Sequence, residues 1–184
     1  MPLPRLVARA DSAARHLLFV LPAATTLPAD LPERERWQTV LERRDLKIEE
    51  LAKSPLAIDF EDGCRAACVM VDEAKPRFER LTVLRKAAML LLDETPAELA
   101  IVPIDVSDDT VRDAAYVALI NAAPLPAKKK KPGKPLKTLT VLTPHVDDAD
   151  FKAVVGLAEA NVLARELTAL PPNELPPAAY RRRI

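Results

Sequence analysis

Glycine is scarce: Gly63, Gly133 and Gly156 are the only three in 184 residues. Loops that cradle phosphates need clustered glycines, because a missing Cβ lets backbone N–H groups close on the anion. Three scattered glycines supply neither a dinucleotide-binding fingerprint nor a P-loop. Cysteine is scarce too, with only Cys64 and Cys68, a usage suited to a reducing cytoplasm. Net charge is missing: 27 Lys and Arg balance 27 Asp and Glu. The chain as a whole is therefore not drawn to nucleic acid or membrane, and any such role must come from a local patch. Long apolar runs are also lacking. The stretch HLLFVLPAA from His16 is too short to span a bilayer and lacks a signal-peptide layout.

What is present is a hydrophobic fraction of 49% in a length that fits one full domain and a little more. Eighteen prolines punctuate it. His16 to Leu21 reads as a buried strand ended by Pro22. ERERWQTVLERR places Trp37, Val40 and Leu41 on one helical face, and LKIEELAK continues as a short amphipathic piece. LAIDF and CRAACVMV flank a turn ending in Asp62-Gly63, which predicts a hairpin. Pro76 to Leu92 predicts a helix, with Phe78, Leu81, Leu84, Ala88 and Leu91 as its apolar face and Pro76 in its first turn. Glu98 to Asp105 predicts a strand, with Pro103 marking an edge or its end. SDDT offers N-caps for a helix through Val111, Ala115, Ala118 and Leu119. Lys137 to Thr143 predicts a last strand, and DDAD caps a long helix over about Phe151 to Leu170. The expected fold class is α/β, a mixed sheet flanked by helices and followed by a long linker helix.

The chain closes on LTALPPNELPPAAYRRRI. Pro171 and Pro172 stop the long helix, and Pro176 and Pro177 sit where a new one starts. Rigid proline spacing before a helix start predicts an inter-domain junction, with the sequence interrupted as a second domain begins. GLAEANVLARELTALPPNELPPAAY resembles the segment that joins the two domains of the leucyl aminopeptidases, the cytosol aminopeptidase family. Ala164, Arg165, Glu166 and Leu167 match the family's helix core, and Pro171, Pro172 and Asn173 match its turn. AKSPLAIDFEDG, FERLTVLRKAAMLLLDETPAELAI and the KKKKPGKPLKTLTV loop are similar to the bacterial branch, so the resemblance covers most of the chain.

The resemblance implies an N-terminal accessory domain, macro-domain-like in fold, over residues 1–147. It also implies a linker helix over 148–172 and the start of a catalytic domain over 173–184. It further implies a cytoplasmic parent that hydrolyses N-terminal residues from peptides and assembles as a homo-hexamer. The parent would hold two divalent ions, manganese or zinc, to activate a water and polarise the peptide carbonyl. In the family those ions are held by a lysine and carboxylates of the C-terminal domain, including the string N-T-D-A-E-G-R. That string does not occur here, so no cofactor and no catalytic or metal-binding residue is expected in this chain. Its expected partner is its own C-terminal domain, with Arg165, Pro171, Pro172 and Asn173 at the junction.

Other candidates weigh less. Cys64 and Cys68, four apart on a strand, would lie about 13 Å from one another, too far for a disulfide or a shared metal, so apolar filling is expected. His16 and His145 lack a neighbouring ligand cluster, and structural or solvent-exposed roles are expected. The strongest charge feature is Lys128, Lys129, Lys130 and Lys131, joined by Lys134 and Lys137. It suits phosphate contact in a stand-alone nucleic-acid-binding or oligomerisation module, but it lies in a Pro/Gly loop without aromatics, where a solvated loop is the simpler expectation. Arg181 to Arg183 would face solvent or the second domain. Glu61, Asp62, Asp147, Asp148 and Asp150 fall at turns and caps, where acidic side chains bond backbone.

Overall fold

The computed structural model describes residues 3–123, 134–143, 151–171 and 175–183. Among these residues six strands form one sheet in the order β1-β6-β5-β2-β4-β3. They are β1 Arg5–Arg9, β2 His16–Pro22, β3 Leu56–Asp59, β4 Arg65–Val71, β5 Glu98–Pro103 and β6 Thr138–Leu142. Every neighbouring pair is parallel except β3 with β4. Among the described residues five α-helices accompany them: α1 Arg34–Arg43, α2 Arg77–Leu92, α3 Asp108–Ala122, α4 Lys152–Ala169 and α5 Pro177–Arg183. LKIEELAK supplies a single 3₁₀ turn, Ile48–Ala52.

The predicted mixed α/β sheet is thus present. His16 to Leu21 is its central strand, fully buried from Leu18 to Leu21, because helices cover both sides of a parallel strand. The predicted hairpin is the β3–β4 pair. Gly63 adopts φ 80 in its turn, a left-handed conformation that glycine takes without a Cβ penalty. One strand escaped the sequence reading. RLVAR, β1, lies at the sheet edge and pairs with β6 from Arg5↔Thr138 to Arg9↔Leu142. Pro103 marks the end of its strand and not a sheet edge, since β5 lies between β6 and β2.

Side chains alternate between two cores, as strand geometry requires. Leu18, Val20, Ala67, Val69, Leu99 and Ile101 pack under α2, α3 and α4. Phe19, Leu21, Ala66, Cys68 and Met70 pack under α1, with Trp37 and Leu41. On that second side the β1-β6-β5 half is polar. Arg5, Arg9, Glu98, Thr138 and Thr140 line an open cavity of about 560 Å³ there.

The face expected for α2 needs one correction. Phe78 is 81% exposed, whereas Val83, Leu84, Ala87, Ala88 and Leu91 are buried. At 3.6 residues per turn, the two successive steps of three from Phe78 to Leu84 fall roughly 120° short of full turns. Phe78 is thereby rotated off the core stripe, and Arg77 and Arg80 occupy its place.

α4 closes the layer by packing Val154, Ala158 and Val162 inward. The DDAD cap expected for it, residues 147–150, lies outside the described residues. Gly156 sits mid-helix, and a Cβ built there meets nothing within 4 Å. Gly156→Ala is therefore expected to stabilise the fold by about 0.5–1 kcal/mol through helix propensity alone. In a chain of this size that raises Tm by about 1–4 °C, a shift that calorimetry would read. Among the described residues no helix is long and apolar enough to cross a membrane.

Candidate functional site

Parallel sheets usually take ligands at the carboxyl ends of their strands, where the strand order reverses. Here that place is beside β2, whose neighbours are β4 and β5. The loop after β4 carries Glu73, and the loop after β5 carries Ser107, the N-cap of α3. Glu73 Oε1 accepts hydrogen bonds from Ser107 N (2.9 Å), Ser107 Oγ (2.6 Å) and Thr110 Oγ1 (2.6 Å). Ser107 Oγ in turn accepts from Thr110 N at 3.3 Å. The positive end of the α3 dipole, a natural anion site, is therefore filled by a carboxylate of the chain itself.

The hydroxyl groups of Ser107 and Thr110 hold the Glu73 carboxyl below its ordinary 4.5. A depressed carboxyl pKa adds stability above the unfolded value that is lost as pH falls through the folded one. Denaturation at a series of pH values should thus show wild type ahead of Glu73→Gln at neutral pH, by at most about 1 kcal/mol given the exposure of the group. The gap should close below pH 4.5. A gap that stays constant down to acid would show that Glu73 contributes no proton linkage.

A second concavity, of about 370 Å³, opens between α2, α3 and α4. Asp113 of α3 lies at its base with 4% of its side chain exposed. Arg77 Nε donates to Asp113 Oδ1 at 2.8 Å, and its Nη2 lies 2.8 Å from the same oxygen. Arg80 Nη2 stands 3.3 Å from Oδ2. Arg112 is turned aside onto Asp109 at 3.0 Å. Three arginines face two aspartates in the cleft, and Arg77 and Arg80 tie α2 to α3 through Asp113. At the opposite end of the sheet, Glu94 joins His16 (3.1 Å) and Arg65 (2.8 Å), and Arg65 also holds Asp59 at 2.8 Å. Among the described residues no group of three His, Cys, Asp or Glu could hold a metal ion.

No protein-family profile matches the sequence, and no curated protein does. Solved structures do match. A tomato leucine aminopeptidase variant superposes with a TM-score of 0.72 at 14% identity, covering 96% of this chain and 40% of that one. The bottromycin maturation enzyme BotP, solved with Mn, gives 0.64 at 19% identity, covering 93% and 35%. The cytosol aminopeptidase of Coxiella burnetii gives 0.59 at 15% identity, covering 96% and 36%. The chain has the leucine aminopeptidase N-terminal fold. It spans about two-fifths of the length of those enzymes.

Within this aminopeptidase fold the residues singled out from sequence fare unevenly. Arg165 lies on α4, and its Nη1 donates to the Ile120 carbonyl near the end of α3. Pro171 follows the end of α4. Pro172 and Asn173 lie outside the described residues, as do Lys128, Lys129, Lys130, Lys131, His145, Asp147, Asp148 and Asp150. Pro177 opens α5, where Arg181 and Arg182 are exposed. Asp62 Oδ1 accepts from Cys64 N at 2.8 Å, the turn role expected of it. Cys64 precedes β4 and is half-buried, while Cys68 is fully buried and burial pushes its thiol up to about 12. Sequence reasoning missed Glu73, Arg77, Arg80 and Asp113. Their partners lie more than thirty residues away, so no local spacing could have revealed them.

Proposed function

We propose that this chain is the non-catalytic N-terminal domain of a cytosol-aminopeptidase-family metallopeptidase, working with a separate catalytic domain of the same parent. The observation that carries the reading is the asymmetry of coverage: nearly all of this chain superposes on about two-fifths of a leucine aminopeptidase. The junction sequence from Ala164 to Asn173 supports it, since Arg165 ties α4 to α3 and α4 ends at Ala169, before Pro171. In this reading the accessory domain covers residues 1–147, the linker segment 148–172 includes α4, Lys152–Ala169, and the catalytic domain begins at 173.

In this reading the parent is a cytoplasmic homo-oligomer, a hexamer, that removes N-terminal residues from peptides with two manganese or zinc ions. The described residues offer no donor set for those ions, so no chemical step is assigned to this chain. The α3 N-terminus, filled by the chain's own Glu73, fits a scaffold. Two measurements test the proposal. The purified chain should leave leucine amide intact with added manganese or zinc, and metal-dependent turnover by these 184 residues would overturn it. The reading frame past Ile184 should encode a lysine and carboxylates of the metal-ligand string, and a frame without them removes the proposed parent.

A further inference from the structure

The cleft between α2, α3 and α4 is lined by Arg77, Arg80 and Arg112 against Asp109 and Asp113, so one positive charge is left over. The surplus is not shared evenly. Asp113, at the base, is already spent on Arg77 and Arg80. Arg112 has only Asp109 among the described residues, three positions back on the same helix, and that carboxylate is 80% exposed. An exposed pair of this kind is worth little and gives way readily. A guanidinium carries five N–H donors. Arg77 Nε and Nη2, Arg80 Nη2 and Arg112 Nη1 face the aspartates. Arg80 Nε is buried yet has no hydrogen-bond partner among the described residues, a costly state for a donor of a charged group. The other side of the cleft is a wall of Val154 and Leu157 from α4, with Tyr116 of α3 beside it. Its volume of about 370 Å³ falls in the range of about 300–1,000 Å³ that small ligands use.

We propose that this cleft binds a small organic oxyanion, a carboxylate or phosphate head on an apolar body. Arg112 turns from Asp109 to the head and is joined by the unspent nitrogens of Arg77 and Arg80, since planar guanidinium forks suit either head. The body lies against Val154 and Leu157. Arg77 and Arg80 keep their tie to Asp113, so binding does not break the contact between α2 and α3. The site is built from α2, α3 and the first turns of α4. The end of that helix at Ala169 lies about 18 Å beyond Leu157 along its axis, so the junction end of α4 is not part of the site. The inference goes beyond the peptidase reading and does not rest on it.

Benzoate and phenyl phosphate, titrated into the 184-residue chain at constant ionic strength with chloride as the balancing ion, test it. At ten times its Kd either probe should raise Tm by about 3–6 °C. Acetate, a head without a body, should bind at least tenfold more weakly than benzoate. Amide shifts in a two-dimensional NMR titration should centre on Arg112, Tyr116, Val154 and Leu157. Either probe binding there supports the proposal, and the tighter of the two identifies the head. Asp147, Asp148 and Asp150 lie outside the described residues, and titrating the whole chain includes their charge in the affinity measured. Arg112→Gln removes the surplus charge and should weaken binding at least tenfold, with its own Tm within about 2 °C of wild type. Asp109→Asn releases Arg112 and should tighten binding about threefold or more. A merely structural surface pair would not shift affinity in opposite directions from its two ends. No response to either probe up to about 50 mM, a response centred on residues 128–131, acetate binding as tightly as benzoate, or equal affinity in wild type and Arg112→Gln overturns the proposal. Should Arg112→Gln fail to fold, Asp109→Asn decides, and binding no tighter than wild type counts equally against it. None of these outcomes bears on amide hydrolysis or on the reading frame past Ile184, so the two proposals fail separately.

Discussion

Trp37→Ala is expected to lower Tm by about 6–20 °C, the largest effect expected of a single substitution here. Trp37 is fully buried at the meeting point of three rings. It packs edge-on against Phe19 at 6.4 Å and Phe60 at 6.2 Å, and those two rings lie 6.3 Å apart. Its indole N–H donates to the Pro32 carbonyl at 3.2 Å, tying the proline-rich stretch before α1 to the core. Truncation to alanine removes the buried ring, leaves a cavity and strands that carbonyl, a combined loss of about 3–5 kcal/mol. With about 2–4 °C per kcal/mol for a chain of this size, the shift is large on a calorimetric scan. Trp37→Phe keeps most of the ring volume and should recover more than half of the loss. A loss below about 1 kcal/mol for the alanine variant would mean that α1 packs loosely on the sheet.

Asp113→Ala should come second, at about 2–3 kcal/mol. Removing the carboxylate leaves Arg80, whose side chain is 16% exposed, without its counter-charge in a cleft it cannot easily leave. Breaking one partner of a buried pair usually costs about 3–5 kcal/mol. The value is discounted here because Arg77 is 57% exposed and can turn to solvent. The sign of the double variant is the informative part. Asp113→Leu with Arg80→Met replaces the pair with apolar bulk, and such exchanges are often neutral, so the double variant should be more stable than Asp113→Ala alone. Urea denaturation of the full cycle gives the coupling energy. A coupling near zero would show that Asp113 acts through packing and not through charge.

These two sites also show how far the sequence could be read. Trp37 and Leu41 announced themselves by helical spacing, and both are core. The β3–β4 hairpin was visible in Asp62-Gly63 and its flanking apolar runs, because turn chemistry is local. Ser107 was legible as a cap for the same reason. Glu73 was not, since its role depends on two loops meeting at the carboxyl ends of β4 and β5. Asp113 lay in plain view on a helix, but its buried position depends on α2 presenting Arg77 and Arg80 to it. The misplaced Phe78 has the same origin: the spacing rule counted it as core where those arginines face inward. β1 was missed because five residues flanked by arginines carry almost no period of their own. Only β6, far along the chain, makes RLVAR a strand.

That last pairing sets a clock on folding. A ribosome adds about 5–20 residues per second, so β1 waits on the order of ten seconds between its own emergence and that of β6, its partner from Thr138. β2, β3, β4 and β5 pair among themselves and can assemble first, leaving Leu6 and Ala8, which later pack against the core, without their sheet neighbour. The first strand made is then the last strand docked, and the seam between β1 and β6 is the place where non-local closure limits the rate. Nascent chains stalled before and after Thr138 should differ sharply in protease resistance near the N-terminus.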